Sequence, residues 1–318
     1  MLHEIDVAGR TGSATVRAAL GDGFFLVRNA VPESLLDEAY QLLEQFFALP
    51  LDDKKSVRVP GSNGQSGYTP PLVETAEKSG RTPDWKELFH WGAALPAGHP
   101  LRTRYPARYP DPCLPDELVP GIGKVLSELH TRMKAFQVKV VGTIGEALGV
   151  PAGYFEEMLD DGPVVNRAAW YPPMGGAPSE QHTWAVEHQD FDLITALPRA
   201  TAPGLQVLHH DGEWLSVDAP EGYAVVNVGM VLERLTDGLA RAAVHRVVAD
   251  PQQSGGRLSI VQFCHPTPWT VLTPLRLPGS EGQPQRFPTL TADALFQRTM
   301  YRINRLDAQQ TSAEAEVR

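Results

Sequence analysis

Two histidines and a carboxylate stand out by type and spacing. The segment Glu187-His188-Gln189-Asp190-Phe191-Asp192 sets an imidazole and a carboxylate two residues apart. On an extended strand alternate side chains share a face, so His188 and Asp190 are expected to project together. A second imidazole, His245, follows 57 residues later in Val244-His245-Arg246-Val247-Val248. Two neutral imidazoles and one ionised carboxylate can hold a divalent metal ion from one side and leave other coordination positions open. Taken singly, each residue has a plainer reading: His188 as a polar residue on a half-exposed strand, His245 as a satisfied core histidine.

A third element changes the balance. Arg257-Leu258-Ser259 follows His245 by 12 residues, after Gly255-Gly256. On a strand Arg257 and Ser259 share one face. A guanidinium pairs with a carboxylate through two parallel hydrogen bonds, and a hydroxyl adds a third. That pair suits a dicarboxylate whose other end chelates the metal. Its plain alternative is a surface arginine beside a turn. The His-x-Asp and distant His are the facial arrangement of non-haem Fe(II) sites.

The elements that must position these groups are readable in outline. Gly23-Phe24-Phe25-Leu26-Val27 reads as a short buried strand. Leu35, Leu36, Ala39, Leu43, Phe46 and Phe47 form a helical stripe beginning after Pro32. Residues 58–83, rich in Gly, Pro, Ser and Thr, read as loop. Ile122, Val125, Leu126, Leu129, Met133, Phe136, Val140, Val141, Ile144 and Leu148 predict a long helix stopped near Gly149 and Pro151. Beyond residue 160, short apolar segments alternate with turn residues: Val164–Tyr171, Leu193–Leu197, Gly204–His209, Glu213–Val217, Tyr223–Val228, Ala243–Val248 and Leu258–Phe263. Regular short strands of this kind predict a sandwich or barrel. A last helix is expected from about Thr291, within 289–310. No linker divides the chain, so the expectation is one domain over 1–318, with a helix-rich region at 1–150 and a β core at 160–275.

These motifs, in this order, resemble the isopenicillin N synthase-like family of Fe(II)- and 2-oxoglutarate-dependent oxygenases. Gly21-Asp22-Gly23-Phe24-Phe25-Leu26-Val27 and Phe46-Phe47-Ala48-Leu49-Pro50 are similar to its N-terminal motifs. Gly67-Tyr68-Thr69-Pro70 and Pro83-Asp84-Trp85-Lys86-Glu87 resemble its middle region. The most specific stretch runs through Val225-Val226-Asn227-Val228-Gly229, Leu235-Thr236-Asp237-Gly238 and His245-Arg246-Val247 to Arg257-Leu258-Ser259. The chain departs from the pattern at Ala169, Met230 and Asp237, where the family often has asparagine, aspartate and asparagine. The alanine puts one cosubstrate contact in doubt.

The resemblance implies a mainly β fold with flanking helices, built on a double-stranded β-helix (a cupin-like jelly roll). It implies iron ligands His188, Asp190 and His245. Arg257 and Ser259 would hold the distal carboxylate of 2-oxoglutarate, and Tyr171 would contact the cosubstrate. Fe(II), 2-oxoglutarate and dioxygen are the implied cofactors, with ascorbate as a stimulant. The implied reaction is ferryl-mediated C–H abstraction that hydroxylates, desaturates or cyclises a small molecule in specialised, natural-product metabolism. An intact Asp190 argues against halogenation, because related halogenases replace that carboxylate with a small residue. The alternatives are an iron oxidase of the isopenicillin N synthase type that needs no 2-oxoglutarate, and a binding protein that kept the fold and lost turnover.

The substrate is poorly encoded. Pro172–Glu187 reads as a long loop before the metal ligands, and His182 and Trp184 on it are candidates for the pocket mouth. Phe191 and Phe263 are candidates for its wall, and core packing accounts for them equally. Arg298 and Tyr301 sit on a C-terminal helix that could cover the site. Glu180, Glu187 and Asp192 could favour a cationic substrate, a solvated acidic face being the plainer reading. His209-His210, beside the Asp211-Gly212 turn, are expected to be exposed rather than to form a second metal site.

Composition narrows the partners. Across 318 residues, 28 Lys and Arg stand against 38 Asp and Glu, a net charge of −10. Nucleic acid and anionic membranes are therefore not expected partners. Two cysteines, Cys113 and Cys264, make no disulfide framework. The N-terminus has early acids, and no run approaches a membrane span. The expectation is a cytoplasmic enzyme of unknown oligomeric state acting on a small molecule.

Overall fold

The computed structural model describes residues 2–9, 11–62, 65–73, 84–93, 95–179, 181–250, 252–278, 282 and 284–302. In chain order the first half forms β1 (His3–Ile5), α1 (Ser13–Asp22), β2 (Phe24–Arg28), α2 (Glu33–Phe47), α3 (Leu51–Ser56), β3 (Gly67–Thr69), β4 (Glu87–Gly92), α4 (Pro100–Arg104), α5 (Ile122–Leu148) and α6 (Glu156–Asp160). The second half forms β5 (Val164–Tyr171), β6 (Ala185–His188), β7 (Ile194–Pro198), β8 (Leu205–Leu208), β9 (Trp214–Ser216), β10 (Tyr223–Val228), α7 (Met230–Leu235), β11 (His245–Val247), β12 (Arg257–Cys264), β13 (Val271–Leu272), β14 (Leu290–Thr291) and α8 (Ala292–Arg302).

Two sheets make the jelly roll. The larger runs β1-β2-β10-β7-β12-β5-β4-β3 and the smaller runs β6-β11-β8-β9. Within the two sheets the central neighbours β2-β10, β10-β7, β7-β12, β12-β5, β6-β11 and β11-β8 are non-consecutive strands, the crossovers that a double-stranded β-helix requires. Four strands of the larger sheet, β1 to β4, come from the first 92 residues. The β architecture is therefore not confined to 160–275, and the stretch read as loop over 58–83 carries β3. The strand β4 has no period-2 pattern to read, because five of its six residues are buried on one face or the other.

The alternation of buried faces in the larger sheet builds the site. One face packs on helices α1, α2 and α5. It contributes Phe25 and Val27, Phe89 and Trp91, Ala168, Ile194 and Ala196, Val226 and Val228, and Leu258 and Ile260 to the main core. The intervening residues face the smaller sheet: Arg167, Ala169 and Tyr171 on β5, Thr195 and Leu197 on β7, and Arg257, Ser259, Val261 and Phe263 on β12. The apolar stripe expected on α5 is the face buried here, with Leu126 and Leu129 fully enclosed. Each such side chain contributes roughly 1.5–3 kcal/mol as an upper figure. Gln137 of α5 donates to the carbonyls of Ile194 (3.1 Å) and Gln262 (3.2 Å), which fixes the helix over β7 and β12. Gly149 ends α5 at φ 73°, a left-handed conformation that glycine adopts without penalty.

The helix expected over 289–310 is described as α8, and its continuation beyond residue 302 lies outside the described residues. Among the described residues, no helix is long and apolar enough to cross a membrane.

Candidate metal and cosubstrate site

His188 ends β6 and His245 begins β11, and the two are direct partners across the ladder. Their ring centres lie 4.2 Å apart. Asp190 lies past the end of β6, so strand alternation is not what aligns it with His188. The loop does this through explicit bonds. The amide of Met230, the first residue of α7, donates to the Asp190 carbonyl (2.8 Å), and that of Val231 donates to the Asp192 carbonyl (3.0 Å). Gln189 donates to the carbonyl of Ala242 (2.5 Å), tying the loop to the approach to His245. Nε2 of His188 and of His245 then stand 4.0 and 3.9 Å from the Asp190 carboxylate. All three residues can present ligand atoms within 4.8 Å of one another.

Electrostatics prepares each group for a metal. Burial lowers the pKa of His188, and lowers that of His245 to about 4, so both imidazoles are neutral near pH 7. The Nδ1 atom of His188 lies 2.8 Å from the Val186 carbonyl, and that of His245 lies 3.5 Å from the Ala243 carbonyl. A proton on Nδ1 directed at the backbone leaves Nε2 as the ligand atom. For Asp190, burial alone would raise the pKa. The nearby His245 and His188, with hydrogen bonds from Thr195 and Asn227, outweigh it and hold the carboxyl below its ordinary value. Thr195 Oγ1 lies 2.7 Å from Asp190 Oδ2, and Asn227 Nδ2 donates to the same oxygen (2.5 Å). Thr195 Oγ1 is also 2.9 Å from Asp192 Oδ2. One hydroxyl proton cannot serve two carboxylates. Burial and then the neighbouring Asp190 raise the Asp192 pKa well above its ordinary value, so of the two carboxyls Asp192 is the one that favours a proton.

Arg257 and Ser259 do share one face of β12, and both are buried. Arg257 is the cross-strand partner of Tyr171, with its guanidinium carbon 5.3 Å from the ring centre. Its Nε donates to the Ala202 carbonyl (3.0 Å). Its Nη1 is buried and has no hydrogen-bond partner. A carboxylate in the cavity would supply that partner, which is the fit that a dicarboxylate cosubstrate requires. The donor set of two imidazoles and one carboxylate likewise fits Fe(II). The triad, Arg257, Ser259, Tyr171 and Phe263 line one cavity between the two sheets.

The other expected contacts fall elsewhere. Trp184 is fully buried and packs behind Tyr171, with ring centres 5.6 Å apart and its indole N–H donated to the Pro172 carbonyl (2.8 Å). The stretch read as a loop to Glu187 is strand from Ala185. His182 is buried and does not line the cavity. Phe191 turns away to His265 and to Phe296 of α8, with ring centres 5.3 and 5.7 Å apart. Its aromatic neighbours belong to the contact that seats α8. Arg298 is exposed, and the side chain of Tyr301 lies outside the described residues. Asp192 is spent on Thr195 and Glu187 is not in the wall, while Glu180 lies outside the described residues. Asp22, His209 and His210 form a second cluster, none of whose members lines the cavity.

Sequence reasoning missed four residues. Thr195 and Asn227 position Asp190, and Asn227 lies within the Val225-Val226-Asn227-Val228-Gly229 motif. Lys86 and Arg167 line the cavity, and their signal was a shared face with Leu88 and with Ala169 and Tyr171.

The comparisons agree with this geometry. Residues 8–112 match the family described as "non-haem dioxygenase in morphine synthesis N-terminal". Residues 161–266 match the 2OG-Fe(II) oxygenase superfamily. The chain is 31% identical over 311 residues to gibberellin 20 oxidase 2 of Oryza sativa subsp. indica, covering 96% of this chain and 75% of that protein. It is 29% identical over 277 residues to validamycin A dioxygenase of Streptomyces hygroscopicus subsp. limoneus, covering 82% and 73%. A 2OG-Fe(II) oxygenase family protein from Caulobacter crescentus superposes with a TM-score of 0.81 at 30% identity, covering 95% and 99% of the two chains. A Neurospora crassa protein solved with alpha-KG (2-oxoglutarate) and thymine superposes with a TM-score of 0.78 at 25% identity, covering 94% and 96%. Fold, site and relatives converge on a dioxygenase that uses Fe(II), 2-oxoglutarate and dioxygen: the chain belongs to the 2OG-Fe(II) oxygenase superfamily, in its isopenicillin N synthase-like branch.

Proposed function

We propose that residues 1–318 form one oxygenase domain in which His188, Asp190 and His245 hold Fe(II). Arg257, Ser259 and Tyr171 receive 2-oxoglutarate, and a small molecule bound beside the metal is hydroxylated, desaturated or cyclised. The observation that carries this reading is the meeting of the triad with the unpartnered Nη1 of Arg257 in one cavity. Natural-product metabolism in the cytoplasm, without nucleic acid, is the setting it favours.

When bound, iron and 2-oxoglutarate supply the oxidising power for dioxygen chemistry at an unactivated C–H bond. The chain supplies the rest. Neutral His188 and His245 and ionised Asp190 bind the metal from one side. Thr195 and Asn227 fix the carboxylate rotamer. Arg257 neutralises the distal carboxylate of the cosubstrate and orients it against Tyr171. Leu88, Leu197, Leu205, Val247, Val261 and Phe263 exclude water from the remainder of the cavity.

Oxygen uptake with Fe(II) and ascorbate, measured with and without 2-oxoglutarate across a small-molecule panel, tests the proposal. Uptake is expected to depend on 2-oxoglutarate and to release succinate. Uptake without that dependence would instead indicate an oxidase of the isopenicillin N synthase type. Iron binding with no decarboxylation on any compound would indicate a binding protein.

A further inference from the structure

A second group of metal-binding side chains lies outside the cavity. Asp22, His209 and His210 can each present a ligand atom within 4.8 Å of the other two. The turn at Asp211-Gly212 leaves His210 exposed, as expected, while His209 is half-buried. The local sequence of this pair does not reveal its third member. Asp22 comes from the other half of the chain, as the last residue of α1. It is an acid at the negative end of that helix's dipole, and the last turn of α1 carries no basic residue. A bound cation offsets both charges.

The spacing is that of metal ligands rather than of hydrogen-bonded partners. Nδ1 of His210 lies 3.4 Å from Asp22 Oδ1, and Nε2 of His3 on β1 lies 3.4 Å from Asp22 Oδ2. Hydrogen bonds from N–H to oxygen are shorter, about 2.7–3.2 Å. Two donors bound at about 2.0–2.1 Å to one tetrahedral zinc stand about 3.3–3.4 Å apart. The rings of His209 and His210 lie side by side, with centres 3.9 Å apart. His209 is oriented by a carboxylate of its own, its Nδ1 lying 2.8 Å from Asp211 Oδ2. An imidazole that gives its Nδ1 proton to a carboxylate keeps the Nε2 lone pair for a metal. Asp211 is fixed in turn, because its Oδ1 accepts from the Glu213 amide (3.0 Å) while the His209 amide donates to the Glu213 carbonyl (2.9 Å). The end of α1 is anchored as well. The Arg241 amide donates to the Leu20 carbonyl (2.9 Å), and the Val228 amide donates to the Gly23 carbonyl (2.9 Å). The donors thus come from two segments held independently of any ion.

We propose that Asp22, His209 and His210 form a second metal site that takes Zn(II), with His3 or water in the fourth position. Imidazole nitrogen and carboxylate oxygen together suit a borderline ion such as zinc. The ion clips α1 to the β8–β9 turn of the smaller sheet. Leu208, next to His209, donates its amide to the Val244 carbonyl (2.8 Å), so the clip also braces the segment that leads into His245. The site shares no residue with the cavity triad, and its role is structural.

The test uses the full chain without an affinity tag, at about pH 7.5, where free imidazole is neutral. The probe is Zn(II) alone, and the readouts are zinc bound per chain after equilibrium dialysis and the melting temperature. The wild type should hold two zinc ions, one on His188, Asp190 and His245 and one on the second site. Combining Asp22→Asn with His210→Ala should leave one, a loss of at least about 100-fold in the affinity of the second site. His188→Ala should likewise leave one, and all three substitutions together none. Zn(II) should raise the melting temperature of His188→Ala by several degrees, and adding the other two substitutions should abolish the rise. Co(II) bound to His188→Ala should show the intense visible absorption of a four-coordinate ion, a readout that needs no change in the second site. Zinc binding unchanged by Asp22→Asn with His210→Ala would overturn the proposal. So would the weak absorption of a six-coordinate Co(II). Zinc binding unchanged by His188→Ala would strike the cavity triad instead.

Discussion

His188 and His245 face each other across the β6–β11 ladder, each with Nδ1 toward the backbone carbonyl two residues earlier in its own chain. The backbone flanking each imidazole thus supports its ring orientation. The site should survive loss of one ligand as a folded but weak binder. We expect His188→Ala or Asp190→Ala to lower Fe(II) affinity by at least about 100-fold and to abolish turnover. The melting temperature should move by only a few degrees. Iron content after gel filtration and thermal melts check this, and full loading with turnover in both variants would remove the assignment.

Asn227 and Thr195 both bond to Asp190 Oδ2. Asn227→Ala or Thr195→Val frees the carboxylate to rotate. Fe(II) affinity should fall about 10- to 100-fold, while the affinity for 2-oxoglutarate at saturating iron changes little. Metal titration monitored by the visible charge-transfer band of the Fe(II)·2-oxoglutarate complex separates the two constants.

Arg257 presents its buried Nη1 without a partner. A charge-assisted contact to a carboxylate is worth roughly 1.5–3 kcal/mol. Arg257→Met should therefore raise KM for 2-oxoglutarate by about 10- to 100-fold, with a smaller effect on kcat. Steady-state kinetics at varied 2-oxoglutarate checks the split. An unchanged KM would show that the cosubstrate carboxylate lies elsewhere.

Local pattern carried much of this fold. The short apolar segments Val164–Tyr171 and Tyr223–Val228, bounded by turn residues, marked β5 and β10 at their observed bounds, and the stripe from Ile122 to Leu148 marked α5. The pairing of Arg257 with Ser259 on one face followed from period two alone. What stayed hidden depends on contacts between distant segments. The strand β4 is buried on both faces and carries Glu87 and His90 inside, so its pattern resembles neither a half-exposed strand nor a helix. Arg167 and Lys86 enter the cavity because β4 pairs with β5, and no local spacing encodes that pairing. Trp184 and Phe191 were drawn toward the substrate by proximity in sequence to His188. Their rings are spent on Tyr171 and on Phe296.

The entry to the β4 edge rests on a buried ion pair. Lys54 Nζ lies 2.5 Å from Glu87 Oε2, Tyr68 donates its hydroxyl to the same oxygen (2.6 Å), and Lys54 also donates to the Phe47 carbonyl (3.0 Å). Removing the cation strands a carboxylate in the core. Lys54→Met should cost about 3–5 kcal/mol of stability, and the double variant Lys54→Met with Glu87→Gln should recover part of it. Denaturant unfolding of the two variants measures the coupling. Equal losses in both would show that the ion pair is not the source.

Acid sensitivity has a buried origin in His130 on α5. Its Nδ1 lies 2.7 Å from Asn166 Nδ2, while Asn166 Oδ1 accepts from Gln262 Nε2 (2.8 Å). Gln262 thereby fixes the amide orientation, and Nδ1 of His130 must be the acceptor. A proton there would set two donors face to face. Burial, aided by the charge of Lys134, lowers the His130 pKa from 6.5 to about 4. Below pH 6.5 the unfolded chain takes up a proton that the folded chain refuses. Stability from this group is thus complete above pH 6.5 and is lost as pH falls toward 4, by about 3 kcal/mol in all. His130→Gln removes the titration, so the unfolding free energy of that variant should fall less steeply between pH 6.5 and 4. His90 and His265, also depressed by burial, keep the remaining slope positive. Urea midpoints across that window measure the difference, and identical slopes would mean that His130 is protonated in the folded protein.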